Sequence, residues 1–167
     1  MPGRTPTAAR EAFLAPLRQS LSCITSAQLY VSHARPGDKE ALTLSDDPLS
    51  LRSDVLGKIQ LTLGHQFRVI EDEAHGYRVT TAAYNYVLLD QGGQDLIAWH
   101  WHPESRVVRP HLHIAADPLT HKIHIPTARV TIESVLRLLL YELGVTQHVA
   151  RVLDDSEQPH LDNRTWG

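Results

Sequence analysis

From Thr7 to Leu21 the apolar residues Phe13, Leu14, Leu17 and Leu21 fall one, three and four positions apart, the spacing of one face of an α-helix. Pro16 lies inside that stretch and predicts a kink or two short pieces rather than a straight rod. Gln28 to His33 and Ala41 to Leu44 read as extended segments joined by a turn at Pro36-Gly37-Asp38. Asp47-Pro48 has the form of a helix start, a cap followed by proline, and predicts a helix that stops near Gly57. From Lys58 onward the period changes to two. Ile59, Leu61 and Leu63 alternate with polar neighbours, and Phe67, Val69 and Glu71 continue after Gly64.

Tyr77 to Leu89 is rich in β-branched and aromatic residues and runs into Asp90-Gln-Gly-Gly93, a hairpin signal, with Gln94 to His102 as the partner strand. Arg109 to Ala115 and Lys122 to Ile125 read as two more strands around a turn at Asp117-Pro118. Pro110 marks a strand start or an edge. Ile132, Val135, Leu136, Leu139, Leu140 and Leu143 then form a broad helical face, capped by Thr131 and ended by Gly144. The expected fold is therefore α+β, an antiparallel meander sheet of five to six strands with helices packed on one face. It fills one domain over residues 1–167: an N-terminal helix and strand extension (1–57), a histidine-rich sheet and helix core (58–145) and a C-terminal tail (146–167) that opens with a further turn or two over Thr146 to Leu153 and is acidic and polar from Asp154.

Composition agrees with a packed domain, since Leu, Ile, Val and Phe fill 45 of 167 positions. A net charge of −3 excludes a strongly basic nucleic-acid coat, though not a local basic patch. The single cysteine, Cys23, excludes an intrachain disulfide and reads as a small core residue beside a helix end. No apolar run approaches a membrane span or a signal-peptide core, so a cytoplasmic location away from membranes is expected.

The eleven histidines change the picture, because six of them (His100, His102, His111, His113, His121 and His124) crowd into residues 100–124. Strand alternation puts His100 and His102 on one face against Ile97, Trp99 and Trp101, and His111 and His113 on one face against Leu112 and Ile114. If the two strands pair, four imidazoles share a small patch. Paired imidazoles can serve as acid and base, as transesterification of an RNA 2′-hydroxyl requires. The stretch 103–129 is locally +2 and offers Arg109, Lys122 and Arg129 as phosphate holds, Arg129 beside the helix start or else paired with Glu133. Alternatively His100, His102, His111 and His113 could bind zinc or another transition metal, although neither His-x-His segment brings a carboxylate. A third reading makes them ordinary exposed strand residues. His33, His65, His75, His148 and His160 are expected at the surface or in loops, and Tyr84 and Tyr86 in packing.

Tyr84-Asn-Tyr86, Asp90-Gln-Gly-Gly93, Leu96-Ile-Ala-Trp-His100, Pro110-His111-Leu112-His113 and the leucine-rich helix together resemble the TumE family, small toxins of bacterial toxin–antitoxin pairs. The resemblance spans about Lys58 to Val145. It implies a toxin-like protein acting on RNA, with an antitoxin protein as partner. In that reading the chain is a metal-independent ribonuclease with no cofactor, using His102, His111 and His113 as catalytic groups and Arg109, Lys122 and Arg129 on RNA phosphates. A metalloprotein or metalloenzyme is the alternative. A non-enzymatic module is the third, pairing an apolar surface with an antitoxin or with an identical subunit as a homodimer.

Overall fold

Thr5 caps the first helix, its hydroxyl accepting from the Ala8 amide at 3.1 Å, and Pro6 occupies a position that needs no amide donor. In the computed structural model, which describes residues 3–74, 76–114 and 123–145, α1 runs unbroken from Pro6 to Leu21 through Pro16. It is one helix, not two pieces. Phe13, Leu14, Leu17 and Leu21 are buried, and packing of this face against the sheet outweighs the amide lost at Pro16.

Eight strands follow: β1 (Leu29–Val31), β2 (Glu40–Leu44), β3 (Leu49–Ser53), β4 (Gly57–Asp72), β5 (Gly76–Asp90), β6 (Asp95–Trp101), β7 (His111–Ile114) and β8 (Ile125–Pro126). All pairings are antiparallel, in the order β1-β2-β4-β5-β6-β7-β8, and β3 pairs with β4 beyond the end of β2. The fold is thus α+β and meander-like, with eight strands rather than five or six. One added strand replaces the helix expected after Asp47-Pro48. Leu49 and Leu51 alternate with Ser50 and Arg52, and β3 pairs through Leu49–Leu61 to Ser53–Gly57. Its pairing with β4 buries Leu49, which the cap signal alone would have placed on a helix.

β4 and β5 form the spine, in register over their whole length apart from a bulge on β5 that skips Ala82. On one face Ile59, Leu61, Leu63, Phe67, Val69, Tyr84, Tyr86, Leu88, Trp99 and Trp101 make the core. α1 packs on β4 and β5, and α2 (Ile132–Arg137) packs on α1 and continues as a π-helical turn, Leu138–Glu142. Gly144 ends this helix at φ +60°, as expected of the glycine there. His65 corrects the expectation of a surface histidine: it is 1% exposed, on the core face of β4. Its Nδ1 lies 2.6 Å from the Tyr86 hydroxyl, and Tyr86 stacks on Tyr84. Cys23 is buried beside the end of α1, as expected. No helix among the described residues is long and apolar enough to cross a membrane. His75, His121, Lys122, the turn at Asp117-Pro118, and the tail with His148 and His160 lie outside the described residues.

Candidate metal centre

Trp99 and Trp101 are buried in the core, so alternation along β6 directs His100 and His102 to the opposite face. On β7, Leu112 packs against the core, and His111 and His113 share the face of His100. The two strands pair, with His100 opposite His111 and Ala98 opposite His113. Their rings converge. Centroids lie 5.5 Å apart for His100 and His111, 5.0 Å for His100 and His113, and 5.3 Å for His111 and His113. His102 sits at the margin, its Nε2 3.4 Å from Nδ1 of His100.

His124 is the member that sequence reasoning passed over. β8 pairs with β7 through His111–Pro126 and Leu112–Ile125, which brings the preceding residues alongside His113. The His124 ring stands 4.7 Å from that of His111 and 4.8 Å from that of His113. The signal was its place in the 100–124 cluster, but assigning it needed the register of a hairpin that spacing alone does not give. Among the described residues, His111, His113 and His124 form the only set of three or more metal-ligating side chains whose donor atoms converge, all within 4.8 Å of one another. A tetrahedral zinc with bonds of about 2.0 Å needs nitrogens roughly 3.3 Å apart, so modest ring movements would complete it.

The supporting contacts favour that use. His111 is buried, and its Nδ1 donates to the Arg109 carbonyl at 2.9 Å. A carbonyl only accepts, so the proton of neutral His111 is on Nδ1 and the Nε2 lone pair is left for a ligand. Metal-bound histidines are oriented in this way. His124 is exposed and His113 half-buried, which leaves room for those rings to adjust.

Burial, and then the proximity of His113, His102, His111 and His124, hold His100 down to about 4 from an ordinary 6.5. Burial, with His111 nearby, also lowers His102. His100 is therefore a neutral imidazole at pH 7.

Of the cationic residues expected at the site, Arg129 is turned away from it and Lys122 lies outside the described residues. The Arg129 guanidinium lies over the Trp101 ring, 3.8 Å from its centroid, and Trp101 projects from the face opposite His100. Arg109 contributes its carbonyl, while its side chain is exposed. Tyr84 and Tyr86 are in the core rather than in the site, and the Tyr84 hydroxyl accepts from the Val130 amide at 3.0 Å.

In comparisons with known proteins, the chain matches no family model, no curated protein and no solved structure.

Proposed function

We propose that this protein binds one transition-metal ion of the zinc class through His111, His113 and His124. The convergence of their donor atoms within 4.8 Å carries the reading, with His111 already turned by the Arg109 carbonyl. Three imidazoles leave a coordination position open, the arrangement of hydrolytic rather than structural zinc sites. A metal-dependent hydrolase is the enzyme class that fits, because an ion so held lowers the pKa of bound water towards 7. His100 then stands beside the ion as a neutral hydrogen-bonding group.

The test is the metal content of untagged protein by elemental analysis after gel filtration. About one equivalent is expected, with a loss of affinity of about tenfold or more in His111→Ala and in His124→Ala. Protein that holds no metal after incubation with zinc and gel filtration would reject the reading.

A second reading keeps the histidines as metal-free acid and base groups of a TumE-like toxin that cleaves RNA. The approach of His102 Nε2 to His100 Nδ1 at 3.4 Å favours it, since one imidazole could relay a proton to the other. His102, His111 and His113 would be its catalytic groups and Arg109 its nearest phosphate contact. RNA cleavage that persists in chelator and is lost in His113→Ala would establish this reading over the first.

A further inference from the structure

The face that carries the histidines continues across the sheet as a groove of 520 Å³. Gly64 on β4 is paired with Asn85 on β5, Asn85 with His100 on β6, and His100 with His111 on β7. These four residues form one row across three strand spacings, about 14 Å long, with the histidines at one end. Ala41 and Ala83 flank the row, so much of the groove floor has no side chain larger than a methyl group. His102 lines the groove and its Nε2 lies 3.4 Å from Nδ1 of His100, so the groove ends beside the histidine cluster.

The electrostatics of the groove are specific. Its charged lining residues are Lys39 and Glu104, and they neutralise each other in an ion pair of 2.6 Å. A phosphate or carboxylate would find no uncommitted cation among the described residues that line it. Besides Thr43 and His102, the polar side chains on this face of the groove are the carboxamides of Gln66 and Asn85. Oδ1 of Asn85 is buried with no hydrogen-bond partner among the described residues, an acceptor that costs stability until a donor reaches it. A half-turn of the amide about χ2 offers either its acceptor or its donor to the groove.

We propose that this groove binds a small, planar, uncharged molecule that carries an amide or amino-heterocycle edge, with Asn85 as the residue that reads that edge. Flatness follows from the Gly and Ala floor, neutrality from the closed Lys39–Glu104 pair, and the choice of donor or acceptor from the Asn85 amide. The further assignment of the groove as the substrate arm of the metal centre rests on the reading in the preceding subsection. Binding in the groove does not.

The experiment uses the full chain, once loaded with zinc and once treated with chelator. Benzamide is the probe and benzoate its isosteric anion, followed by calorimetry and by amide chemical-shift mapping. Benzamide should bind with a Kd below about 1 mM, perturb the signals of Gly64 and Asn85, and bind at least about tenfold more tightly than benzoate. Ala83→Leu and Gly64→Val should each weaken benzamide by about tenfold or more and leave zinc stoichiometry unchanged. At Gly64 an added Cβ meets only the Asn85 carbonyl oxygen, at an ordinary 3.6 Å, so a side chain can leave the backbone there without a clash at its first carbon. Absence of saturable benzamide binding, equal affinity for benzoate, or unaltered affinity in both folded variants would overturn the proposal. Benzamide binding by protein that fails to retain zinc after loading and gel filtration would uphold the groove and remove the metal centre. Zinc binding without benzamide binding would do the reverse.

Discussion

His65 shows how a single polar residue can be built into an apolar core. It is 1% exposed, its ring lies parallel to that of Tyr86, and Nδ1 and the Tyr86 hydroxyl are 2.6 Å apart. A further approach of 3.4 Å links Nε2 to the Thr81 hydroxyl. Tyr86→Phe would preserve the ring packing and remove the hydroxyl, leaving a buried imidazole nitrogen short of a partner. The expected cost is about 1–3 kcal/mol, seen as a lower urea midpoint with an unchanged m-value. A midpoint equal to that of the parent would mean that the hydrogen bond contributes nothing net. Nothing in the sequence around His65 announces this role. Gly64 on its N-terminal side interrupts the alternation to the eye, although the two-residue period from Ile59 to Val69 passes through position 65.

Between elements, the contact that fixes the start of the chain to the sheet is ionic. Arg10 on α1 donates through both Nε and Nη2 to the two carboxylate oxygens of Glu40 on β2, at 2.7 and 2.6 Å. Glu40 is 1% exposed, so water cannot take the place of that partner. Arg10→Met would keep much of the stem packing and strand the carboxylate, and a loss of about 3 kcal/mol is expected by thermal or urea unfolding. The double change Arg10→Met with Glu40→Gln should recover part of that loss, and a double variant as unstable as the single would contradict the pairing. At this scale the sequence was informative wherever a period ran long. The alternation of β4 and β5, the hairpin at Asp90–Gly93 and the leucine face of α2 were all legible, and so was the split of β6 and β7 into apolar and histidine faces. β3 was not legible, because Asp47-Pro48 satisfies the local grammar of a helix start while a five-residue strand offers only two apolar positions. Here pairing with β4 decided the outcome. The gathering of the histidines needed β6–β7 pairing, which the alternation suggested. The inclusion of His124 and the turning of Arg129 onto Trp101 depended on register and three-dimensional packing.

For the whole molecule, the cluster of imidazoles makes stability depend on acidity. In the folded protein His100 is held down to about 4, first by burial and then by its histidine neighbours, against an ordinary 6.5. As pH falls below about 6.5 the unfolded chain takes up a proton that the folded chain refuses until near pH 4. Stability attributable to His100 is therefore fully present above pH 6.5 and declines on acidification through that window. Urea unfolding of metal-free protein at a series of pH values should show the decline, and His100→Gln should flatten it. A profile level between pH 6.5 and 4 would contradict the described burial. The same direction is expected of metal affinity, because a protonated imidazole cannot coordinate.

The two-sidedness of β6 has an optical consequence. Trp99 and Trp101 are neighbours in sequence of His100 and His102, separated from them only by the thickness of one strand. Two of the three tryptophans in the chain thus stand behind the histidine cluster, shielded from water. Their emission should be dimmed by a paramagnetic ion such as Cu²⁺ bound across the strand and little altered by closed-shell Zn²⁺. A chelator added afterwards should restore the light as it withdraws the quencher, whereas zinc, which imidazoles hold less tightly than copper, should not. The fold therefore carries its own indicator, and occupancy of the histidine face can be followed without a label.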